Sequence, residues 1–315
     1  MSSVPYPLCR HGPRRHIACI PGERPRPPTR ERIIVNGPIK SKGTAATQRQ
    51  LDCFKAAIAR SGVAVDEAFV PALAPGWLDH FIYNEHYKTD EEFVYALADA
   101  MSDKYRAIVE AGFILQIDDP GIATSWDMIK PEPGLADYRK YVTLRIEALN
   151  HALTGIPPEK VRYHWCWGSW HGAHVNDIPL KFIIDIALKV KAQSYSFEAA
   201  NVRHEHEMSV WKEVKLAPGT ILMPGMISHA TNIVEHPARS LPAGSSIGRL
   251  LSGTRTSLAG PTAAWEAGCM PRSVGRSSQR LPKEGSRDEN LVALTMNHFD
   301  RDQPRAVERA HPQHF

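Results

Sequence analysis

Apolar residues recur along residues 32–237 in two alternating patterns: short β-branched runs and longer stretches with helical spacing. The short runs, which predict strands, cover residues 32–39, 67–73, 113–117, 161–166, 192–198 and 220–227. The longer stretches, which predict helices, cover residues 44–61, 90–111, 134–154 and 180–191. Strand followed by helix, repeated in this way, is typical of parallel β/α units.

Polar and glycine residues follow these predicted strands at their carboxyl ends. They are Asn36, Gly37, Asp118, Asp119, His164, Cys166, Glu198, His229 and Asn232. A (β/α)8 TIM barrel builds its active site on this face. A doubly wound sheet would gather polar residues at one switch point, usually beside a glycine-rich phosphate loop. The sequence has neither GxGxxG nor a Walker loop, so we predict an α/β fold of the (β/α)8 TIM-barrel type.

The two ends of the chain differ from its middle. Residues 1–31 are rich in Pro and Arg and lack periodicity, which predicts a disordered leader. Residues 32–237 form the predicted barrel portion. Residues 238–315 become rich in Ser, Arg, Pro and Gly without a convincing period, so we expect a largely disordered tail.

Charge and cysteine usage narrow the function classes. The net charge is only +4, and the arginines concentrate near the two ends rather than along a folded face, which argues against a nucleic-acid partner. No apolar run is long enough to span a membrane, and the N-terminus lacks the apolar segment of a signal peptide. Five cysteines without a regular framework favour a reducing, cytoplasmic compartment.

His164 and Cys166 are the first candidate for chemistry. They lie two residues apart at the end of a predicted strand, so their side chains point the same way. Imidazole nitrogen and thiolate sulfur are donors suited to zinc. Two ligands do not make a site, and a buried thiol beside a packed histidine is the simpler alternative.

Four segments, in order, carry a family resemblance. They are QIDDP (116–120), HWCWGSWHG (164–172), YSFEAANVRHEHE (195–207) and LMPGMISHATNIVEHP (222–237). With this order and spacing the chain resembles the cobalamin-independent methionine synthase family, in particular its short, single-barrel bacterial members. The resemblance implies a zinc-dependent methyltransferase that makes methionine from homocysteine with a methyl-folate donor.

The resemblance also implies residue roles. Its zinc ligands map onto His164, Cys166 and Glu198. Its aspartate that grips the amino group of homocysteine maps onto Asp118, a catalytic and substrate-binding position, with Asp119 beside it. Its catalytic histidine, which helps protonate the departing folate nitrogen, maps onto His229, and Asn232 falls in the same substrate-binding loop.

Simpler alternatives stay open for the acidic residues. Glu198 could pair with Arg203 or Lys191 and contact no metal. Asp118 and Asp119, which precede a proline, could cap the next helix, since Asp is a favoured N-cap residue.

The nearby histidines and tryptophans also have plain interpretations. We expect His204 and His206, in RHEHE, to lie on a solvated face rather than to bind metal. We expect Trp165, Trp167 and Trp170 to pack over the barrel rim rather than to stack on a pteridine.

The chain departs from the family pattern at both ends. The family's first strand, with a His-Val-Gly-Ser-like loop, and its second strand, with a Gly-Glu pair, have no counterpart before Arg32, so we expect a barrel that is truncated at the N-terminus and incomplete. The family's fourth zinc ligand lies in a Thr-Asp-Cys-Gly turn, and nothing after Pro237 matches it. Zinc would then keep at most three protein ligands.

A shifted reading frame offers an explanation for the tail. If each codon takes the last base of one residue and the first two of the next, residues 260–264 permit Thr-Asp-Cys-Gly, and the following residues to 278 permit a family-like continuation. We hypothesise that the frame slips near Pro237 and that the tail is an out-of-frame translation.

Two other functions remain open. One is another alkyl transfer to a thiol on the same zinc scaffold, such as an epoxide to coenzyme M transfer, or one with a corrinoid methyl donor. The other is an inactive remnant of the family. Asp118 favours an amino-acid acceptor, because a sulfonate thiol would need cations there.

Overall fold

The computed structural model describes residues 33–168, 174–225, 228 and 255–256 of the chain. The strands are β1 (Ile33–Val35), β2 (Phe69–Leu73), β3 (Ile82–Asn84), β4 (Ile114–Asp118), β5 (Val161–Trp165), β6 (Ser194–Glu198), β7 (Ile221–Gly225) and β8 (Arg255–Thr256). The α-helices are α1 (Thr44–Ser61), α2 (Pro75–Leu78), α3 (Asp90–Glu110), α4 (Gly121–Met128), α5 (Leu135–Ala152) and α6 (Ile184–Ala187). Four 3-10 segments, Asp79–Phe81, Pro158–Lys160, Leu180–Phe182 and Glu205–Lys212, complete the described elements.

Parallel pairing organises the strands. Six of them form one sheet in the order β2-β4-β5-β6-β7-β8, and β1 pairs separately with β3. Within the described part of the chain, all of these strands pair in parallel. The predicted parallel α/β arrangement is confirmed. Over the described residues the sheet does not close into a barrel, because β1 pairs with β3 and not with the edge of the larger sheet.

Residues at the ends of the long helices explain where these helices begin and end. Helix α1 is followed by Gly62 in the left-handed conformation, with φ of +67°, as a C-terminal glycine allows. Helix α3 begins after Thr89, whose hydroxyl accepts a hydrogen bond from the Glu92 backbone N–H at 3.1 Å. Three acidic residues in the first turn of α3 complement the helix dipole. No helix in the described part of the chain is long and apolar enough to cross a bilayer.

The predicted helix over residues 180–191 is wrong. The structure has a 3-10 turn at Leu180–Phe182 and then the single short turn of α6. Ile183, between them, has φ of −126°, which is not helical. The segment is rich in isoleucine, whose β-branched side chain lowers helix propensity.

The predicted disordered ends fall almost wholly outside the described residues. This holds for residues 1–31 and for the tail from residue 238, except for Arg255 and Thr256. Those two residues form β8, which pairs with Ile221 and Leu222 of β7. At these two positions the tail continues the sheet.

The sheet has two unlike faces, since successive strand residues point to opposite sides. We call one the helix face. It carries buried apolar and aromatic side chains: Leu115, Ile117, Val161, Tyr163, Trp165, Tyr195, Phe197 and Leu222. We call the other the polar face. It carries Gln116 and Asp118 of β4, Arg162 and His164 of β5, and Ser196 and Glu198 of β6. Gln116 is in register with Arg162, and Asp118 with His164 and Ser196.

A buried ion pair joins the segment after β2 to α5 on the helix side. The guanidinium of Arg145 bonds Asp79, and its second nitrogen lies 3.1 Å from Asp90. The same guanidinium lies 3.4 Å from the centre of the Tyr141 ring. Gly76 of α2 packs so closely against Arg145 that a β-carbon at position 76 would lie 2.7 Å from the Cβ and Cγ of Arg145.

Candidate functional site

The polar face is built as a ladder across three neighbouring strands. Asp118 of β4 pairs with His164 of β5, which pairs with Ser196 of β6. One step toward the strands' amino ends, Gln116 pairs with Arg162. Because these strands are parallel, their carboxyl ends lie at one edge of the sheet, and the predicted residues of β4, β5 and β6 lie along that edge.

His164 and Cys166 lie at the end of β5. His164 is 1% exposed, and its Nδ1 lies 3.4 Å from the hydroxyl oxygen of Ser196. Cys166 follows β5 directly, is 5% exposed and is a free thiol. Alternation along an extended strand would place Cys166, two residues after His164, on the same side of the sheet as His164.

Glu198 is the last residue of β6 and is buried. One of its carboxylate oxygens accepts a hydrogen bond from the Asn201 side-chain amide at 2.9 Å. The side-chain oxygen of Asn201 in turn accepts from the Arg203 backbone N–H at 2.8 Å. The Asn201 side chain, a neutral amide, is therefore one partner of Glu198.

The donor set suits zinc in its chemistry. It comprises one imidazole, one thiol and one carboxylate, all buried at the carboxyl ends of two adjacent strands. Within residues 33–168 and 174–225, however, no three His, Cys, Asp or Glu side chains come together as a group that could hold a metal ion. The zinc site therefore stays a prediction.

The two neighbouring aspartates lie on opposite sides of the sheet. Asp118 belongs to the polar face, whereas Asp119 is 2% exposed and accepts a hydrogen bond from the Tyr163 hydroxyl at 2.9 Å. Burial raises the pKa of Asp119 to about 6, against the lowering effect of the Tyr163 hydroxyl and the Gly121 backbone N–H. The structure thus does not bring Asp119 together with Asp118. The Asp119 carboxylate accepts from the Gly121 backbone N–H, but the N-cap residue of α4 is Pro120 and not an aspartate.

His204 is not on a solvated face, and that prediction is wrong. It is 3% exposed, and its two ring nitrogens lie 3.0 Å from Asp177 and 3.4 Å from Glu207. Burial disfavours the imidazolium, yet the bonds to these two carboxylates raise its pKa overall. His206 is exposed, as predicted.

Asp177 ties a second histidine to this cluster. His174 Nδ1 lies 2.9 Å from its carboxylate. Although burial opposes it, bonding to His174 and His204 lowers the pKa of Asp177 to about 2. Because Asp177 follows β5 and His204 follows β6, the cluster joins the loops that come after the two strands of the predicted zinc ligands.

Two of the three tryptophans pack against other rings of the protein, although Trp165 does so on the helix face of the sheet and not over a barrel rim. Trp165 is fully buried and stacks on Phe197, with ring centres 5.3 Å apart. Trp167 is 2% exposed, stacks on the His204 ring at 3.7 Å and donates to the Ile178 carbonyl. Trp170, His229 and Asn232 lie outside the described residues.

Several polar partners escaped the sequence analysis. Gln116 and Ser196 lie two residues before Asp118 and Glu198, and strand alternation could have placed each pair on one face. Asn201 and Asp177 lie in irregular segments, where no periodicity indicates a contact.

Comparison with known proteins gives sequence and structural relatives. The methionine synthase of Saccharolobus islandicus (strain L.S.2.15) is 30% identical over 113 residues, which are 36% of this chain and 30% of that protein. The methionine synthase of Saccharolobus solfataricus is 29% identical over 135 residues, 42% of this chain and 36% of that protein. No protein-family model matches the chain.

A solved structure supplies the fold. The B12-independent methionine synthase from Shewanella sp. W3-18-1, solved in complex with selenomethionine, superposes with a TM-score of 0.53 at 17% identity. The match covers 77% of this chain and 66% of that chain. The chain is similar in sequence to methionine synthases and in fold to a B12-independent methionine synthase.

The resemblance seen in the sequence is thus confirmed. The alignments of this methionine synthase-like chain span about a third of the length of the curated relatives. At 17% identity the solved structure supports the α/β fold and not the residue roles.

Proposed function

We propose that the chain is a zinc-dependent methyltransferase that moves a methyl group from a methyl-folate donor to the thiol of homocysteine, giving methionine. The observation that carries the proposal is the polar face, where Asp118, His164 and Glu198 lie at the carboxyl ends of adjacent parallel strands. The relatives named methionine synthase support it. We also propose that the six-stranded sheet is part of a (β/α)8 barrel.

His164, Cys166 and Glu198 would hold the zinc ion. Bound zinc supplies a substrate thiolate at neutral pH, where a free thiol with a pKa of about 8.5 is mostly protonated. Ser196 beside His164 and Asn201 bonded to Glu198 orient these side chains, as the hydrogen-bond partners of metal ligands do.

Asp118 would bind the amino group of the substrate. It lies on the polar face in register with His164, so an amino acid held by Asp118 would lie beside that proposed zinc ligand. Holding the substrate in one orientation accounts for much of the rate gain in such transfers. A carboxylate at this position favours an amino-acid thiol over a sulfonate thiol.

His229 would protonate the departing folate nitrogen, with Asn232 nearby. A tertiary amine leaves readily only when its nitrogen takes up a proton, which is a task for a general acid. This assignment rests on the family resemblance, since both residues follow the described part of β7.

Zinc content tests the proposal. We expect about one zinc ion per chain by atomic absorption in the purified protein, and none above background in a His164→Ala, Cys166→Ala double variant. Cys53→Ala is the matched control, because Cys53 is an exposed thiol on α1. A wild-type protein without zinc would point instead to an inactive remnant.

Activity is then measured directly. The zinc-loaded protein should form methionine from homocysteine and a methyl-folate, detected by mass spectrometry. Turnover with a methyl-corrinoid and not with methyl-folate would show that the methyl donor is the corrinoid.

A further inference from the structure

Gln116, Arg162 and Asp118 form a hydrogen-bonded chain on the polar face. The guanidinium Nη1 of Arg162 donates to the side-chain oxygen of Gln116 at 3.3 Å. The side-chain nitrogen of Gln116 donates to Oδ1 of Asp118 at 3.0 Å. The hydrogen bonds thus connect a cation, through an amide, to the Asp118 carboxylate, which the proposed function gives the role of binding the substrate.

The chemistry of the two end groups fixes which way the amide faces. Oxygen and nitrogen of a Gln side chain are distinguished by their hydrogen bonds. A guanidinium has donors only, so the Gln116 oxygen must face Arg162. The Gln116 nitrogen therefore faces Asp118, which as a carboxylate accepts only.

The three hydrogen-bonded side chains are held in place by their surroundings. Gln116 is 2% exposed and Asp118 is 8% exposed. The Arg162 guanidinium lies 4.5 Å from the centre of the Phe69 ring of β2, so its head group is held from a second side. The strand register fixes the positions of the two backbones, because Gln116 of β4 and Arg162 of β5 are direct partners.

We propose that Gln116 and Arg162 are positioning residues that aim the Asp118 carboxylate at the substrate's amino group. They would thereby set the preference for an amino-acid thiol over the same thiol without an amino group. The inference rests on the proposed function and deepens it, since it names two residues to which that function gives no role.

The test compares two thiols by calorimetric titration of the full-length, zinc-supplemented protein. One is homocysteine, and the other is 4-mercaptobutanoate, which lacks the amino group. We expect the wild type to bind homocysteine the more tightly. Gln116→Met and Arg162→Met should each reduce that preference about tenfold, as expected for losing a hydrogen bond to a charged group. Affinity for 4-mercaptobutanoate should stay within about twofold, because it makes no contact with the amino-group site.

Matched variants separate positioning from general damage. Arg162→Lys keeps a donor for the Gln116 oxygen and should retain the preference. Gln193→Met makes the same change beside the amino end of β6 and should leave both affinities unchanged. Thermal unfolding shows whether each variant folds. If one of Gln116→Met and Arg162→Met does not fold, the thiol preference of the other variant tests the proposal.

The outcomes distinguish the two proposals. If the wild type prefers homocysteine and the folded Met variants keep that preference, Gln116 and Arg162 are not positioning residues, while the proposed function stands. If the wild type binds neither thiol, or binds both equally, the amino-acid acceptor is wrong and this inference is wrong with it.

Discussion

The two faces of the six-stranded sheet use alternate residues of the same strands for different purposes. The polar face holds side chains that hydrogen-bond one another and reach the carboxyl edge of the sheet. The helix face holds stacked aromatic rings, with Phe197 between Trp165 and Trp211 at 5.3 and 4.6 Å. Adjacent residues therefore differ in role, as Asp118 and Asp119 show. Substitutions on the helix face should cost stability, and those on the polar face should cost ligand binding.

The largest effect is expected from Trp165→Ala on the helix face. The change empties a fully buried site in contact with several rings, so the free energy of unfolding should fall by about 5 kcal/mol. Urea unfolding followed by circular dichroism measures it. His164→Ala, one residue away on the polar face, should cost far less; an equal loss would remove the distinction between the faces.

A somewhat smaller effect is expected from Arg145→Met. It leaves the Asp79 carboxylate buried without its cation, which should cost about 3 kcal/mol in urea unfolding. Adding Asp79→Leu should recover most of the loss, because an apolar pair replaces the ion pair. Arg106→Met, which removes an exposed pair with Asp103, is the control and should change stability by less than about 0.5 kcal/mol.

Asp119→Asn should change how stability depends on pH. The pKa of Asp119 is raised from 3.8 to about 6 in the folded protein. Between these values the folded state binds more protons than the unfolded state, so the free energy of unfolding falls as pH rises from about 4 through about 6. Asparagine removes this slope and should add about 3 kcal/mol at pH 7. Urea midpoints from pH 4 to 8 measure it, and parallel curves for both proteins would contradict the raised pKa.

The smallest effect concerns His204→Gln. A raised pKa means that its contribution to stability is present below pH 6.5 and is lost as pH rises through the folded-state value. The variant should therefore be less stable than the wild type at pH 6, with the gap closing at higher pH. Melting curves at several pH values test this, and a gap that is the same at every pH would show that His204 is not charged.

The elements that sequence analysis located have local causes. Helix α1 was predicted to cover residues 44–61, because its apolar period and Gly62 lie within one segment. The face that each residue of β4 and β5 occupies follows from alternation alone. The chemistry of the polar face was therefore partly predictable, including the proximity of Asp118 and His164.

What was missed depends on distant partners or on very short elements. Helices α2 and α6 have four residues each and strand β3 has three, too few to show a period. His204 is buried because of Asp177, 27 residues earlier, and no local pattern indicates that contact. Barrel closure depends on which strands pair, and β1 pairs with β3 through residues that lie 49 positions apart in the chain.

The close packing of Gly76 limits which sequences can keep the Arg145 ion pair. The atoms that a β-carbon would meet are the Cβ and Cγ of Arg145, the rigid stem of the side chain and not its flexible end. In a mutational scan, position 76 should therefore tolerate glycine alone for as long as position 145 carries any side chain. Homologues with a larger residue at position 76 should carry glycine at position 145, so the two positions are expected to vary together.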